Sequence, residues 1–267
     1  MKKAINMFLS MILLISTVAC VNAANDLMKD ASPNTSVLTL YTYKDNKVIR
    51  ETISGDEEQR ILDRLKTVKA RKKANWTFAD ITFPIYGLEI GSTNGNTIYA
   101  AWSNGCWISQ DGTIYRFDFD FSSLQNEYEW SDQQEFRSFS VFPCARILTQ
   151  NERGWNTGLL TPAMELNPPP GITMALEDWA KDTVTVSITN KSGKEWTYGD
   201  PYVLQTLLDN QWYDIPTIDG SGAFFLTGYL INDGEKKIKT YNLLIYGDLP
   251  SGTYRLVTEG LFVTNAE

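Results

Sequence analysis

The chain has 267 residues, of which 43% are hydrophobic and 21% are charged, a composition that supports packed cores and excludes global disorder. Its 24 basic and 32 acidic residues give a net charge of −8, which argues against binding nucleic acid and against electrostatic adhesion to anionic lipid or wall polymer. It contains no histidine, which excludes Ser-His-Asp and Cys-His catalysis and every metal site built on imidazole.

The first 23 residues have the order of a secretory signal peptide. Lys2 and Lys3 give a positive start, residues 7–19 are apolar, and small residues at Val21 and Ala23 fit a cut after Ala23. The apolar stretch is shorter than the roughly 20 residues that a membrane span needs. We therefore expect residues 1–23 to be removed on export, and residues 24–36 to form a flexible polar leader.

Cys20 leaves a second route open. Residues 17–20, Thr-Val-Ala-Cys, resemble the box of bacterial lipoproteins, in which the cysteine is lipidated, although Thr17 stands where leucine is usual. Lipidation at Cys20 would tether the protein to a membrane face, whereas cleavage after Ala23 would release it.

Residues 37–166 are predicted to form an α+β domain. Val37–Tyr43 and Lys47–Ile53 favour a hairpin, since both are rich in β-branched and aromatic residues and Asp45-Asn46 separates them. A helix with Ile61, Leu62 and Leu65 on one face follows, capped by Ser54 and Glu57. The next segments are strands with Asn-Gly and Asp-Gly turns, as in an antiparallel meander. A second helix is expected from Asp132 toward Phe139, since Ser131 to Gln134 match a capping box.

Two weak candidate sites lie in this domain. Asp118 and Asp120 would share one face of a strand, where they could act as acid and base, bind Ca²⁺ with Asp111, or simply form a polar strand face. Trp102 and Trp107 could form an aromatic platform for a carbohydrate or peptide, or could pack in the core.

Cys106 and Cys144 are the two cysteines that follow Cys20. A pair of cysteines in an exported chain suggests a disulfide, and the alternative is two buried thiols, because sequence does not give the separation that a bridge requires. Two cysteines without CxxC spacing are too few for a structural zinc site.

Asn167 to Gly171 form the predicted domain boundary, because three consecutive prolines favour a stiff spacer and reject helix and sheet. From Ile172 to the end, short alternating strands recur at the spacing of an immunoglobulin-type β-sandwich, and Thr183–Ile188 alternates most clearly. Residues 248–256 match a tyrosine corner in which the Tyr254 hydroxyl would bond to backbone a few residues upstream, with Leu256 where antibody domains carry a disulfide cysteine.

Several motifs in order make the C-terminal segment resemble the bacterial immunoglobulin-like domain of secreted and surface proteins of Firmicutes. The matching pieces are Tyr198-Gly199-Asp200, Trp212 to Pro216, Gly228-Tyr229, Tyr246 to Pro250 and Gly252 to Val257. The resemblance covers residues 172–264, and it implies an extracytoplasmic, non-catalytic module without naming a ligand.

The sequence therefore predicts an exported envelope or extracellular protein that acts as a non-catalytic interaction module. We expect no catalytic residue, metal or cofactor, an unknown protein or carbohydrate partner, and membrane contact only through the signal or a lipid anchor. The alternatives are a glycosidase-like hydrolase that uses carboxylates of the first domain, with Asp118 and Asp120 as candidates, and a sensor or inhibitor partner protein.

Overall fold

The computed structural model describes residues 36–68, 70–72, 77–92, 97–117, 119–127, 133–151, 154–218, 224 and 227–265. These residues are mostly β-strand, and their contacts divide the chain into two units. The first unit consists of the residues up to Lys44 together with Ile49–Glu135. The second consists of Asp45–Val48 and Phe136–Glu267. Within the described residues, no helix is both long and apolar enough to span a membrane.

The first unit is built on an eight-stranded sheet with the order β3-β7-β6-β5-β4-β1-β2-β8. Its strands are β1 Ser36–Lys44, β2 Lys47–Ile53, β3 Ala70–Lys72, β4 Ile85–Ser92, β5 Thr97–Ser103, β6 Cys106–Ser109, β7 Ile114–Phe117 and β8 Gln133–Phe136. The predicted turns at Asp45-Asn46 and Asn104-Gly105 are present, and both residues of each have positive φ. Such pairs match the twist of the strands that they join, which explains the hairpins.

Helix α1, Asp56–Thr67, covers one face of this sheet. Ile61, Leu62 and Leu65 are buried in one cluster with Leu38 and Leu88 of the sheet. Burying side chains of this size stabilises the fold by about 1.5–3 kcal/mol each, so this face holds the helix in place.

Two details of the helix predictions are wrong. Helix α1 begins after Gly55, at φ 76°, and no side chain caps it, so Ser54 does not form the predicted capping box. The helix expected from Asp132 to Phe139 is instead strand β8 followed by a single turn at Phe139–Val141. The free edge of strand β2 explains this change, because β8 pairs with it, and the Gln133 side chain also donates to the buried Glu51 carboxylate at 3.2 Å. The α+β class expected for residues 37–166 is not evident, since the described part of this segment is mostly strand, with α1 and short helices at Ser122–Glu127 and Ala145–Thr149.

The second unit contains a five-stranded sheet, β11-β16-β15-β19-β20, a three-stranded sheet, β12-β13-β18, and the strand pairs β14-β17 and β9-β10. Its strands are β9 Gln150–Asn151, β10 Gly154–Trp155, β11 Thr161–Pro162, β12 Ile172–Trp179, β13 Thr183–Asn190, β14 Trp196–Tyr198, β15 Val203–Leu208, β16 Gln211–Asp214, β17 Tyr229–Ile231, β18 Lys236–Asn242, β19 Tyr254–Thr258 and β20 Leu261–Thr264. Strand β18 ends at Asn242, before a turn at Leu244–Tyr246.

The two larger sheets share one core. Val184, Val186 and Ile188 of β13 are fully buried in the same cluster as Leu204 of β15 and Leu256 of β19. This is the alternation that the sequence predicts, with one face of each strand turned to the core and the other turned outward.

Tyr254 has the geometry of a tyrosine corner. Its side chain is buried, and its hydroxyl donates a hydrogen bond to the carbonyl oxygen of Pro250, four residues upstream. Leu256, two residues later, is fully buried in the core, so an apolar contact stands where antibody domains have a disulfide.

Residues 136–166 group with the sandwich by their contacts. Strand β11 extends the five-stranded sheet, and the buried Arg146 guanidinium donates to the carbonyls of Tyr246 at 2.9 Å and Asp248 at 3.0 Å. Its Cζ lies 4.6 Å from the centre of the Trp155 ring. The domain bounds drawn from the proline run stay a prediction, and these contacts show that the residues before that run pack on the sandwich.

The proline segment itself lies against the sandwich. The Ile172 amide donates to Pro169, and a Cβ on Gly171 would come within 2.6 Å of the Ser192 backbone. At the other end, a Cβ on Gly260 would come within 2.6 Å of the Asn167 carbonyl oxygen. Both glycines have positive φ, so the conformation and the close approach each require the missing side chain.

Candidate interaction surface

Of the predicted carboxylate pair, Asp120 lies within the described residues, and it falls outside strand β7. Strand β7 ends at Phe117, and Asp118 lies outside the described residues. Asp120 accepts hydrogen bonds from the backbone N–H of Ser122 at 2.9 Å and from its hydroxyl at 2.7 Å. Asp120 therefore organises the start of the short helix at Ser122, a local role that its sequence spacing did not reveal.

The predicted aromatic platform is largely core. Trp107 is 1% exposed, and its ring centre lies 5.5 Å from that of Phe121. Trp102 is partly buried and contacts both Tyr86 and Phe121, at 5.6 and 5.9 Å between ring centres. Trp107 thus offers no ring face to a ligand, and the packing alternative describes this pair better.

The two remaining cysteines are buried thiols in different units. Cys106 lies in strand β6, and Cys144 precedes the short helix Ala145–Thr149 at φ 59°. The predicted disulfide is not formed in this structure. In the described part of the chain, no three Cys, Asp or Glu residues come together in a group that could hold a metal ion.

A surface that the sequence did not single out lies on the outward face of the five-stranded sheet. Register places four polar residues in one row across β16, β15, β19 and β20. The row is Asp214, Gln205, Arg255 and Thr264. Side chains two residues apart share a face, so Trp212, Val203, Val257 and Phe262 lie on the same side of the sheet.

The centre of this row is Arg255. Its Nε–H donates to Gln205 Oε1 at 2.5 Å, and Gln205 Nε2 donates to Asp214 Oδ1 at 2.7 Å. The guanidinium carbon lies 4.3 Å from the centre of the Trp212 ring and 5.5 Å from that of Phe262. We call these five residues, Gln205, Trp212, Asp214, Arg255 and Phe262, the Arg255 clamp.

The clamp lies beside a short apolar row. Val203, Val257 and Phe262 are paired in register across β15, β19 and β20. Val203 is 38% exposed and Phe262 46% exposed, whereas Val257 is nearly buried between them. The outward face therefore presents a guanidinium held between aromatic rings and, next to it, apolar side chains open to solvent.

Burial sets the ionisation of the charged members of the clamp. Burial raises the pKa of the Asp214 carboxyl, and the Gln205 hydrogen bond and the Arg255 charge oppose that shift only in part. Burial also lowers the pKa of Arg255, which Asp214 partly offsets. A guanidinium stays protonated in proteins, so the clamp keeps a permanent positive charge on an otherwise acidic molecule.

Lys239 forms a second cationic contact, enclosed by the chain's own rings. Its Nζ lies 4.1 Å from the centre of the Tyr229 ring and 5.0 Å from that of Tyr198, and 2.8 Å from Asp200 Oδ1. Both charged side chains are mostly buried, so this cluster ties strand β18 to the β14-β17 pair. That is a structural role rather than an open site.

Two glutamates of the first unit were also missed by sequence reasoning. Glu51 is 6% exposed, and burial raises its pKa to about 7. Glu58, in the first turn of α1, is equally buried, burial raises its pKa, and its Oε1 has no hydrogen-bond partner. The sequence holds a signal for Glu58, which lies one helical turn before Ile61 and Leu62 on the apolar stripe of α1.

A sequence-family model of the bacterial Ig-like domain matches residues 171–266. Residues 171–266 are thus similar to the bacterial Ig-like domain, and we call them the Ig-like domain. The match spans the whole of the β12–β20 sandwich, so it agrees with the two facing sheets and the buried core, and the Arg255 clamp lies entirely within the Ig-like domain. No curated protein and no solved structure matched the chain.

The sequence did not predict the clamp, because strand register brings its residues together. Trp212 and Arg255 both belong to motifs that mark the Ig-like domain, but they are more than 40 residues apart in the chain. Only the pairing of β16 with β15 and of β15 with β19 brings them together, and strand register over such distances is not written in the local pattern.

Proposed function

We propose that this chain is an exported bacterial protein of the envelope or extracellular space, whose Ig-like domain acts as a non-catalytic interaction module. The observation that carries the proposal is the outward face of the five-stranded sheet, where a fixed guanidinium and exposed apolar side chains lie side by side. Arginine and aromatic residues are enriched at interface centres, and this enrichment supports a contact at this face.

Export is supported by the N-terminal sequence. The positive start, the apolar stretch of residues 7–19 and the small residues before position 24 favour secretion, and Cys20 offers a lipid anchor as the other outcome. The intact mass of the protein recovered outside the cytoplasm tests this directly. A mass that begins at residue 24 supports release, a lipid-modified Cys20 supports anchoring, and an uncleaved chain in the cytoplasm contradicts the proposal.

The interaction role is tested by photo-crosslinking in the native bacterium. A photoreactive phenylalanine analogue at position 262 is expected to give a discrete adduct with a protein or a glycan. The matched control is the same analogue at position 238, since Ile238 is 60% exposed but lies on strand β18 of the other sheet. Equal adducts at both positions, or none at 262, would count against an interaction surface at the clamp.

The alternative function, a carboxylate-dependent hydrolase, has one observation in its favour. Glu51 has a pKa of about 7, and a carboxyl that titrates near neutrality is the kind that serves as a general acid. Hydrolysis of a panel of cell-wall and plant glycans by the wild type, lost in Glu51→Gln, would replace the binding proposal with this one. We favour the binding role because Glu51 is closed off from solvent.

A further inference from the structure

The orientation of the Arg255 guanidinium is fixed from three directions. Gln205 accepts from its Nε, the Trp212 ring covers it at 4.3 Å, and the Phe262 ring flanks it at 5.5 Å. The two Nη groups remain, and in the described part of the chain no carbonyl or carboxylate accepts a hydrogen bond from them. Through these N–H groups a guanidinium can donate two parallel hydrogen bonds to one carboxylate.

The carboxylate nearest in the row does not neutralise these groups. Asp214 binds the Gln205 amide, and Gln205 separates it from Arg255 by one strand. Among the described ion pairs, none joins Asp214 or any other acid to Arg255 within 4.0 Å. The clamp therefore holds Arg255 rigid without using its Nη groups, which lowers the entropy cost of binding a ligand there.

The apolar row adds a second requirement for the ligand. Val203, Val257 and Phe262 lie two residues along their strands from Gln205, Arg255 and Thr264. Two residues of strand correspond to about 7 Å, which is also the distance between side chains i and i+2 of an extended peptide. A carboxylate on one side chain of such a peptide would reach the Nη groups while an apolar side chain two positions away reaches Val203 and Phe262.

Overall charge argues against a polyanion as the ligand. The chain carries 32 acidic against 24 basic residues, so a polymer with many negative charges is repelled at long range. A polyphosphate also has no apolar groups for the exposed valine and phenylalanine. A single acidic side chain flanked by apolar ones satisfies both parts of the surface.

We propose that the Arg255 clamp binds an acidic side chain of an extended segment in a partner protein, with an apolar neighbour of that side chain packed on Val203 and Phe262. This inference rests on the proposed role of the Ig-like domain as an interaction module and names the chemistry of its partner.

Titration of the ¹⁵N-labelled protein with a synthetic peptide tests the chemistry. The probe is acetyl-Ser-Glu-Ser-Val-Ser-amide, in which the apolar side chain lies two positions from the acid, and the matched probe replaces the glutamate with glutamine. We expect the glutamate peptide to shift the Arg255 Nε–H signal and the amides of Val203 and Phe262, and the glutamine peptide to bind at least tenfold more weakly. Equal affinity for the two peptides, shifts confined to other surfaces, or equal binding of inorganic phosphate would overturn the proposal.

Variants separate the clamp from general charge. Arg255→Lys keeps the charge but loses the paired N–H donors, and Val203→Glu places a competing carboxylate beside them; each is expected to weaken the glutamate peptide at least tenfold. Ile238→Glu, on strand β18 of the other sheet, is the control, and it is expected to keep the affinity within twofold. Circular dichroism and thermal denaturation show which variants are folded. If Arg255→Lys does not fold, Val203→Glu still tests the proposal.

The two proposals fail in different ways. If the peptides do not bind but position 262 crosslinks in the bacterium, the domain is an interaction module and the acidic-peptide inference is wrong. If the protein forms a dimer that Arg255→Lys abolishes, the surface binds a second copy, and the inference of a separate partner protein is wrong. If the glutamate peptide binds but the chain stays uncleaved in the cytoplasm, export fails and the inference stands.

Discussion

The two units differ in the kind of charge that they bury and in the partners that they give it. The second unit buries mainly cations: Arg146 donates to carbonyls although its Nη1 has no partner, Lys239 has Asp200 and aromatic rings, and Arg255 has Gln205 and two rings. The first unit instead buries two glutamates: Glu51 accepts from one amide, and Glu58 has an oxygen without a partner. Burial disfavours the charged form in both units, and a carboxylate with few partners is the more costly case, so ionisation of Glu51 and Glu58 destabilises the first unit above the ordinary pKa of a glutamate.

The largest expected effect is the loss of Arg146. Arg146→Ala leaves the Tyr246 and Asp248 carbonyls without their donors and removes the contact with Trp155, so we expect a loss of about 3 kcal/mol from the unfolding free energy of the second unit. Amide hydrogen exchange of the core strand β13 measures this quantity for that unit alone. The exposed Arg137→Ala is the control, with a change below about 0.5 kcal/mol. A loss of that small size for Arg146→Ala would show that its contacts do not hold residues 136–166 on the sandwich.

The second effect concerns Glu51 and should have the opposite sign. Its pKa is about 7 in the folded state against an ordinary value of 4.5, so the folded state keeps the proton longer than the unfolded state does. The unfolding free energy of the first unit therefore falls as pH rises from about 4.5 to 7, and it stays low above that range. Glu51→Gln removes this loss, and we expect it to stabilise the unit by about 2–3 kcal/mol at pH 8 and very little at pH 4.

Hydrogen exchange of the β1 amides at both pH values provides the measurement for Glu51. Glu135→Gln, on the neighbouring strand and exposed, is the matched control, with no change expected. If Glu51→Gln destabilised the unit equally at pH 4 and pH 8, the carboxylate would not be the source of the pH dependence.

A smaller effect is expected at the tyrosine corner. Tyr254→Phe removes only the hydroxyl that donates to Pro250, so the Ig-like domain should lose about 1–1.5 kcal/mol. Tyr213→Phe also removes a hydroxyl with a hydrogen bond, but that bond to Gln211 is exposed, and its loss should change stability by less than about 0.5 kcal/mol. Thermal denaturation of the two variants side by side separates a buried anchor from an ordinary surface contact, and equal shifts would remove the corner's special role.

The smallest effect is expected for Asp200, and its pH dependence should run against that of Glu51. The hydrogen bond from Lys239 is the main cause that lowers the pKa of Asp200, so the stabilisation is present above the ordinary pKa of an aspartate and is lost as pH falls through the lowered value. Asp200→Asn should cost less than about 1 kcal/mol at pH 7 and nothing at pH 2, as β13 exchange would show. A cost that grows toward low pH would contradict this assignment.

The sequence was most informative where the pattern is local. Alternation in Thr183–Ile188, the turn residues Asp45-Asn46 and the tyrosine corner at 248–256 all reflect neighbours a few residues apart, and the structure has the corresponding strands, hairpin and hydrogen bond. The helix expected after Ser131 was wrong because an edge strand was available to pair with Gln133–Phe136, and such tertiary pairing overrides a capping motif. The Arg255 clamp was invisible for the related reason that its members come from four strands whose register is set by the whole fold.

Strand β11 and the close contacts of Gly171 and Gly260 attach the proline run to the sandwich. A short stretch that enters a β-sandwich is commonly free to swivel, but here the sheet pairing at Thr161 and the close backbone approach at Asn167 fasten it at successive points. A force on the chain before Thr161 would first have to break the pairing of β11 with β16. It would then have to separate Asn167 from Gly260 before it acted on β12. Residues 161–171 are therefore anchored to the sandwich at several points along their length.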